Sequence, residues 1–356
     1  MVLGMMSGTS LDGLDLCLVK FLQVHDSYAF EIVKAQTLPY TEVWRNRLAE
    51  AHNLSGFELH ALDIAYGNWL GKQAKQFLGN HRPSCIASHG HTVFHAPHKG
   101  LSLQIGHGGA IHVQTELPVI CDFRIEDVLE GGQGAPLVPV GDSLLFPQYA
   151  ACLNLGGFSN LSWNDAQGLR RASDLIPINM VLNRLAQRLG FSMDTNGHLA
   201  ARGVVDNDLV QALQSLDLWQ RPFPRSFGRE DVDAQVWPLV SEYPSVPNAL
   251  ASCTYWMAHY LAETIQSLCQ SPASASQAKP KVLVTGGGAR HPILMEGLGN
   301  LAPNIEWIVP DGSLVDFKEA LIFAFLAWLK LSHKPNVWKE VTGARQSGSR
   351  GQVWGT

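Results

Sequence analysis

The 356-residue sequence has few charged side chains and no excess of positive charge. Charged residues make up 16% of the chain, and 26 Lys and Arg stand against 31 Asp and Glu, for a formal net charge of −5. Binding to a polyanion such as DNA needs a field of positive charge, so nucleic acid is not an expected partner. With 46% hydrophobic residues, the sequence predicts a globular protein of two domains rather than a disordered or fibrous chain.

Paired cysteines and long apolar runs are also missing. The six cysteines are scattered and form no Cys-x-x-Cys pair, so they predict reduced thiols rather than a zinc or redox motif. No Lys or Arg precedes a hydrophobic stretch at the N-terminus, and the longest apolar run, 320–329, is about half the length that crosses a bilayer. We therefore expect no signal peptide, no membrane partner and a cytoplasmic location.

Strand-like runs alternate with helical patterns along most of the chain, which predicts an α/β protein with layered sheets. The clearest helix begins at Ser55, where Glu58 completes a capping box, and should stop near Gly79. The predicted strands are 14–21, 30–35, 85–88, 119–123, 152–155, 282–285 and 306–309. The other predicted helices are 180–189, 249–268 and 318–331, and a surface loop is predicted at 271–279.

Two segments in separate halves of the chain share a pattern. Residues 3–10 and 153–160 each run from apolar side chains into a turn rich in Gly, Ser, Thr or Asn. Two similar halves that each open on strand, turn and strand would give two lobes with a cleft between them. A chance match is the alternative.

Glycine clusters point to phosphate chemistry, although the first has neither the Gly-Lys-Ser/Thr of a Walker A loop nor a Gly-x-Gly-x-x-Gly fingerprint. In residues 7–15, small side chains let backbone N–H groups approach an anion, and Thr9 and Ser10 add hydroxyl donors. Asp12 and Asp15 would repel phosphate, so at such a site they predict Mg²⁺ held directly or through water. An ordinary hairpin with two turn aspartates is the alternative.

Two further glycine clusters are less specific. Residues 286–288 follow an apolar strand and precede Pro292, which suits the first turn of a helix. A strand, a triple glycine and a helix allow a flat or anionic ligand to come close, and a tight connection is the alternative. By itself, the cluster at 131–136 indicates only a flexible loop.

Four histidines lie between residues 88 and 98. Gly90 and Pro97 interrupt the helix that would align them, and there is no His-Glu-x-x-His motif, so zinc is disfavoured. A polar pocket wall is the better interpretation, because histidines, Thr92 and Gln104 can each donate and accept hydrogen bonds to a sugar.

Two charged side chains are also candidates. Arg124 follows a predicted strand, and α/β proteins place ligand groups at strand ends; a surface salt bridge to Glu126 or Asp127 is the alternative. Asp174 precedes a helix predicted to start near Asn179, where a loop or capping role is the alternative.

Taken in order, these segments resemble the anhydro-N-acetylmuramic acid kinases, a family of the sugar kinase, actin and Hsp70-type ATPase superfamily. The first match is Met-Ser-Gly-Thr-Ser-Leu-Asp-Gly-Leu-Asp at 6–15, and further matches follow along nearly the whole chain. They are 88–95, 103–106, 122–127, 131–139, 154–160, 228–230, 286–289, 319–320 and 341–344.

The resemblance implies two actin-like (ribonuclease H-like) lobes with an interlobe cleft, at 1–145 and 146–356, which close over ATP. Phosphoryl transfer would also need Mg²⁺ to neutralise charge, and Asp12 and Asp15 are its candidate ligands, directly or through water. The implied ATP-binding residues are Gly8, Thr9, Ser10, Leu11, Asp12, Gly13, Leu14, Asp15, Gly286, Gly287 and Gly288.

In the reaction that the resemblance implies, water opens the 1,6-anhydro bridge of the sugar and O6 takes the γ-phosphoryl group of ATP. The product, N-acetylmuramic acid 6-phosphate, belongs to the recycling of cell-wall amino sugar. Asp174 occupies the position of the aspartate that activates the water, a role that an ionised carboxylate can fill. The implied sugar contacts are Thr92, Gln104, Arg124 and Glu319. A small-molecule amino sugar is thus the expected partner, and a homodimer stays open.

The sequence departs from the family pattern in two places. Ile176 and Ile178 stand where small residues are usual, which keeps open a kinase for a different amino sugar. Arg290 and His291 replace a His-Asn pair before Pro292, so a nucleotide contact from Asn is not expected there. A non-catalytic nucleotide-binding member of the fold is the other alternative.

Overall fold

A computed structural model describes residues 1–8, 11–269 and 279–355. Thr9, Ser10 and most of the loop predicted at 271–279 lie outside the described residues. The strands are β1 (Val2–Ser7), β2 (Gly13–Val24), β3 (Ser27–Pro39), β4 (Cys85–Ser88), β5 (His91–Ala96), β6 (Leu101–Ile105), β7 (Val119–Cys121), β8 (Ala151–Leu155), β9 (Phe158–Asn164), β10 (Arg170–Pro177), β11 (Lys281–Thr285), β12 (Glu306–Ile308) and β13 (Gln352–Trp354).

The helices include the four predicted from the sequence and several short ones. They are α1 (Glu42–Ala49), α2 (Gly56–Leu78), α3 (Gly108–Thr115), α4 (Ile125–Leu129), α5 (Val138–Leu145), α6 (Asn179–Gln187), α7 (Asn207–Gln214), α8 (Arg229–Asp231), α9 (Trp237–Val240), α10 (Val246–Cys269), α11 (Pro292–Leu301), α12 (Gly312–Leu331) and α13 (Lys339–Thr342). Together with the strands they confirm the predicted α/β class. Among the described residues, every helix is too short or too polar to span a bilayer.

The chain divides into two compact units. The first contains residues 1–146 and 317–356, and the second contains residues 147–316. The expectation of one lobe at 146–356 is wrong for residues 317–356, which belong to the first unit. The physical reason is long-range pairing: β13 pairs antiparallel with β7, and Thr342 Oγ1 donates a hydrogen bond of 2.8 Å to the buried carboxylate of Asp127.

Each unit contains a mixed sheet, and five strands follow the same order in both. The order is β13-β7-β4-β1-β2-β3 in the first unit and β10-β9-β8-β11-β12 in the second. In both, three antiparallel strands form a meander, and the next strand in the sheet, β4 or β11, lies parallel to the first strand of the meander. This repeat confirms that each half of the chain opens on two antiparallel strands.

The long helix α2 shows how local sequence sets an element. The hydroxyl of Ser55 accepts from the backbone N–H of Glu58, and the Glu58 carboxylate accepts from the N–H of Ser55 at 3.0 Å. The chain leaves the helix at Gly79, which has a φ of +55°. Between these ends, buried side chains at helical spacing, among them Leu62, Tyr66 and Leu70, pack in the core of the first unit.

Close contact between β1 and α12 depends on Gly4. A Cβ at this position would lie 1.9 Å from the carbonyl oxygen of Ala320 and 3.1 Å from the Cβ of Ala324. Only glycine therefore lets α12 lie directly on the strand that leads into the first glycine cluster. The same contact fixes the position of Glu319, the neighbour of Ala320 on the helix.

We expect Gly4→Ala to lower the free energy of unfolding by about 1 to 3 kcal/mol, because the helix must move away from the sheet. Chemical denaturation measures this change. The matched control is Gly56→Ala, because a Cβ there meets no atom within 4 Å and helix propensity gains up to about 1 kcal/mol. Equal stability of the Gly4→Ala protein and the unaltered protein would show that α12 lies further from β1.

Candidate active site

Asp174 lies on strand β10, so the alternative of a loop or capping residue is wrong. Its carboxylate accepts three hydrogen bonds. Asn160 of β9 donates to Oδ1, while Ser226 Oγ at 3.2 Å and the backbone N–H of Phe227 at 3.0 Å donate to Oδ2. Burial raises the pKa of Asp174, and these donors oppose that rise because they favour the ionised form. The arrangement suits a carboxylate that exchanges a proton with a ligand or water.

An irregularity in strand pairing follows Asp174 directly. The regular pairing of β10 with β9 is interrupted between Asp174 and Pro177. Ser159 fills the gap, since its hydroxyl donates to the carbonyl of Ile176 at 2.8 Å and accepts from the N–H of Ile176 at 3.1 Å. Such irregularities commonly turn a side chain away from the regular sheet direction beside functional sites.

The two isoleucines that depart from the family pattern point into the core. Ile176 and Ile178 are fully buried in the hydrophobic core of the second unit. The N–H of Ile178 donates to the carbonyl of Gly157 at 2.8 Å. Both backbone N–H groups are therefore used within the unit, and the bulky side chains change core packing rather than the partners of Asp174.

The triple glycine combines packing and open positions. Gly286 has a φ of +83°, and a Cβ there would lie 2.7 Å from Asn154 Oδ1; a Cβ on Gly288 would lie 2.8 Å from Leu155 Cβ. A Cβ on Gly287 would have Asn179 Nδ2, at 3.5 Å, as its nearest described neighbour outside the adjoining residues. Tight packing thus accounts for the outer two glycines and leaves Gly287 as the candidate for ligand contact. As predicted, Pro292 begins the following helix, α11.

A second glycine turn lies next to Gly287. The turn at Gly156 and Gly157 joins β8 to β9, and its carbonyls accept from the N–H groups at the start of α6. Asn179 Nδ2 also donates to the carbonyl of Leu155 at 3.2 Å. In the sequence, this turn shows only the pattern shared with residues 3–10 and the match to the family. Its position near Gly287 depends on contacts of Leu155 and Asn179 with the triple glycine, and no local sequence motif predicts such contacts.

Strands β1 and β2 form a hairpin on either side of the first glycine cluster, an arrangement that fits both the predicted phosphate site and the alternative of an ordinary hairpin. Ser7 of β1 pairs with Leu14 of β2, and the backbone N–H of Leu11 donates to the carbonyl of Gly8 at 3.4 Å. Leu11 has a φ of +59°, Asp12 is exposed, and Asp15 accepts from Thr37 Oγ1 at 2.6 Å. Leu14 is buried in the core, so its side chain supports the hairpin rather than facing a ligand.

Gly13 has a packing role at the same hairpin. A Cβ at this position would lie 2.6 Å from the carbonyl oxygen of Leu38 in β3. The backbone N–H of Tyr40 also donates to the carbonyl of Asp12 at 3.4 Å. The start of β2 is therefore fixed by contacts with β3 and the residue that follows it.

A buried polar network supports the base of this hairpin. Tyr40 OH donates to Ser7 Oγ at 2.8 Å and lies 2.5 Å from Tyr66 OH, and His91 Nδ1 lies 3.3 Å from Ser7 Oγ. Burial lowers the pKa of His91 to about 4, so this ring is neutral near pH 7. Sequence reasoning placed His91 in a polar wall, but it contacts the hairpin; Tyr40 and Tyr66 carried no motif.

Arg124 is held by a neutral histidine. Its Nε and Nη2 atoms lie 3.0 and 2.9 Å from His89 Nε2, and its Nη1 donates to the carbonyl of Gly134 at 2.7 Å. His89 Nδ1 lies 2.9 Å from the carbonyl of Gly90, so Nδ1 donates and Nε2 accepts. Burial and the nearby guanidinium hold the pKa of His89 well below its usual value. Because Arg124 turns towards His89, the alternative of a surface salt bridge is wrong.

Thr92 and Gln104 meet in the two-stranded sheet of β5 and β6. They are paired residues, and Gln104 Nε2 donates to Thr92 Oγ1 at 3.4 Å and to Ser102 Oγ at 3.0 Å. Gln104 Oε1 is buried and has no hydrogen-bond partner among the described residues. A Cβ on Gly90 would lie 3.3 Å from the Gln104 Cβ, so this pair adjoins the segment that holds Arg124. An unpartnered buried acceptor suits an N–H or O–H of a ligand.

Glu319 lies on α12, and the positive charge of Arg124 affects its pKa. Burial raises the pKa of Glu319, whereas the charges of Lys318 and Arg124 lower it. The neighbouring Lys318 forms a buried ion pair with Asp142 at 3.0 Å. In the first unit, the structure therefore places Arg124 close enough to influence the charge of Glu319 and beside the Thr92 and Gln104 pair.

His291 caps helix α11. Its Nδ1 accepts from the backbone N–H of Leu294 at 3.3 Å, and its Nε2 lies 3.7 Å from a carboxylate oxygen of Asp194. Arg290 turns the other way and pairs with Asp316 at 2.5 Å. The replacement of Asn by His at this position thus preserves a helix-capping acceptor.

The comparisons with known proteins agree over the full chain. A family model described as anhydro-N-acetylmuramic acid kinase matches residues 1–355. The anhydro-N-acetylmuramic acid kinase of Pseudomonas fluorescens is 34% identical, covering 96% of this chain and 96% of that protein. The protein of that name from Rippkaea orientalis is 31% identical, covering 99% of this chain and 98% of its own length.

Among solved structures, the activator of the 2-hydroxyisocaproyl-CoA dehydratase from Clostridium difficile, with bound ADPNP, is similar with a TM-score of 0.44. It is 13% identical, and the match covers 93% of this chain and 95% of that chain.

We expect His291→Asn to keep the free energy of unfolding within about 0.5 kcal/mol of the unaltered protein, because Asn is a good N-cap. His291→Ala should lose about 1 kcal/mol or more, since the Leu294 N–H loses its acceptor. Thermal or chemical denaturation compares the two variants. Equal losses in both would show that side-chain packing of His291, rather than capping, stabilises this turn.

Proposed function

Because the chain belongs to the anhydro-N-acetylmuramic acid kinase family, we propose that it uses ATP to convert 1,6-anhydro-N-acetylmuramic acid into N-acetylmuramic acid 6-phosphate. The observation that carries this proposal is the Asp174 carboxylate, held by three donors on a strand of the second unit. The proposed role is recycling of cell-wall amino sugar. The proposed location is the cytoplasm, where ATP is available. The interlobe cleft and the closing of the lobes stay predictions.

In this proposal Asp174 is the general base. A carboxylate offers about four lone-pair sites, and the three hydrogen bonds leave one site on Oδ1. The water oxygen bonds to C1 of the sugar, the C1–O6 bond breaks with its electron pair passing to O6, and Oδ1 takes the water proton. O6 then bonds to the γ-phosphorus of ATP while ADP departs, and the proton on Asp174 is released to solvent.

Phosphoryl transfer needs alignment and neutralisation of charge more than covalent help from the protein. Gly287, where a Cβ would make only an ordinary contact of 3.5 Å with Asn179 Nδ2, fits backbone contact with phosphate oxygens. The segment between β1 and β2 is the other proposed phosphate contact. Asp12 and Asp15 fit Mg²⁺, because this ion keeps much of its water and takes one or two carboxylates together with phosphate oxygens. Bound Mg²⁺ would neutralise the charge on the phosphates.

The candidate sugar-binding residues of the first unit fit the polar groups of N-acetylmuramic acid. Muramic acid carries a lactyl carboxylate, and Arg124 uses three of its five N–H donors on described residues, leaving two for an anion. Gln104 Oε1 would accept from the acetamido N–H. Glu319 and Thr92 would hydrogen-bond to the remaining polar groups of the sugar, among them its C4 hydroxyl. These assignments favour the anhydromuramic substrate over an amino sugar without a carboxylate.

We expect Asp174→Asn to reduce formation of the 6-phosphorylated reducing sugar by at least about 10²-fold, because an amide cannot take the proton. The assay incubates protein, ATP, Mg²⁺ and the anhydro sugar and separates the products. Asp165→Asn is the matched control, since Asp165 lies at the far end of the same β9–β10 hairpin. A near-normal rate for Asp174→Asn would reject Asp174 as the base.

We expect Arg124→Gln to raise the KM for 1,6-anhydro-N-acetylmuramic acid about tenfold or more, because a charge-assisted pair with the carboxylate is lost. The KM for ATP should stay unchanged. The discriminating comparison uses 1,6-anhydro-N-acetylglucosamine, which lacks the carboxylate, and the substitution should affect its KM little. Arg82→Gln, at an exposed loop of the same unit, is the control. Equal effects on both sugars would contradict carboxylate recognition by Arg124.

A further inference from the structure

Arg225 is a buried arginine whose guanidinium is surrounded by backbone carbonyls. Its Nη1 donates to the carbonyls of Trp219 at 2.6 Å and Arg221 at 3.0 Å, and its Nη2 donates to the carbonyl of Leu175 at 3.1 Å and to the hydroxyl of Tyr260. Only 9% of the residue is exposed. No motif in the sequence singles it out.

The backbone of Arg225 is attached to the strand that carries the proposed base. The N–H of Asp174 donates to the Arg225 carbonyl at 3.0 Å, and the Arg225 N–H donates to Ser173 Oγ at 2.9 Å. The Arg225 Nε lies 3.4 Å from the Asp174 carbonyl. Side chain and backbone of Arg225 therefore tie residues 219–227 to β10 at the level of Asp174.

This attachment determines two of the three donors to the carboxylate. Ser226 and Phe227 follow Arg225 directly, and their hydroxyl and N–H reach Asp174 Oδ2. Neither donor lies in a helix or strand, so their positions depend on the loop that Arg225 holds. The aromatic rings of Phe223 and Phe227, 4.5 and 5.3 Å from the guanidinium carbon, pack on the same group.

We propose that Arg225 is a positioning residue for the reaction, which holds Ser226 and Phe227 against the Asp174 carboxylate so that the base stays ionised and correctly turned. The inference rests on the proposed function, since it requires Asp174 to be the base. Its guanidinium fork is specific to arginine, because a lysine ammonium cannot reach carbonyls on both sides in one plane.

The charge of Arg225 acts in the same direction as the hydrogen bonds. It lowers the pKa of Asp174, as do the donors from Ser226 and Phe227, against the raising effect of burial. The other charged or titratable groups packed around this loop are Tyr260 of α10 and the ion pair of Arg221 with Asp231 at 2.9 Å. Loss of the two donors should therefore raise the pKa of Asp174.

The test is the pH dependence of kcat/KM for the anhydro sugar in Arg225→Lys. A raised pKa leaves the base protonated up to a higher pH, so activity should disappear at a higher pH as the solution is acidified. We expect the acid limb to move up by about one pH unit and kcat to fall about 10- to 100-fold, with the KM for ATP unchanged. Arg170→Lys is the matched control, because Arg170 is a buried arginine of β10 that bonds Ser162 and Asn164 instead.

A second comparison separates positioning from a general structural role. Ser226→Ala alone should move the acid limb in the same direction by a smaller amount. In Arg225→Lys, the further change Ser226→Ala should have little effect, because the Ser226 donor is already displaced. Tyr260→Phe removes one acceptor of the Arg225 guanidinium and keeps the charge of Arg225. It should move the acid limb slightly in the same direction. If Arg225→Lys does not fold, this variant provides the test of positioning.

An unchanged acid limb in folded Arg225→Lys and in Tyr260→Phe would overturn the inference, and so would fully additive effects of the two substitutions at 225 and 226. Neither result would touch the proposed function. That function fails separately if the unaltered protein yields no phosphorylated sugar or if Asp174→Asn remains active.

Discussion

One electrostatic constraint underlies the proposed role of Asp174: a carboxylate that acts as a base must carry charge, and burial opposes that charge here. At Asp174 burial raises the pKa, and three hydrogen bonds and a nearby guanidinium oppose the rise. Desolvating a charge is costly unless donors compensate. The pairing of β9 with β10 supplies Asn160, and residues 219–227 supply the other two donors. The position of the proposed base therefore depends on the pairing register of the sheet and on a loop held by a buried arginine.

The glycines also divide into residues needed for backbone packing and a residue available for ligand contact. Glycine is required at four positions because atoms of a neighbouring segment lie too close to where a Cβ would be. These positions are Gly4, Gly13, Gly286 and Gly288. Gly287 is different, because a Cβ there would make only an ordinary contact of 3.5 Å with Asn179 Nδ2. A Gly-rich motif thus combines residues that hold the backbone in place with one that leaves room for a ligand. In both sheets the first strand pairs antiparallel with the second, and glycine follows the first strand, at Gly8 and at Gly156 and Gly157.

Local patterns predicted much of the fold. Alternating runs gave the main strands and long helices, and the capping box at Ser55 gave the start of α2. The motifs also singled out Arg124, Gln104 and Thr92, which the structure places near one another. The place of residues 317–356 could not be predicted, because it depends on pairing between β13 and β7. Arg225 was missed for the same reason: its partners at residues 174 and 175 lie far away in the sequence. The burial of Ile176 and Ile178 likewise follows from tertiary packing.

The most direct test of the central claim is a crystal structure with 1,6-anhydro-N-acetylmuramic acid and a non-hydrolysable ATP analogue. The account predicts an ordered water molecule hydrogen-bonded to Asp174 Oδ1 and about 3 to 3.5 Å from C1 of the sugar. Asn160, Ser226 and Phe227 should still donate to the carboxylate. A sugar whose C1 lies away from Asp174, with another carboxylate contacting the nearest water, would contradict the assignment of the base.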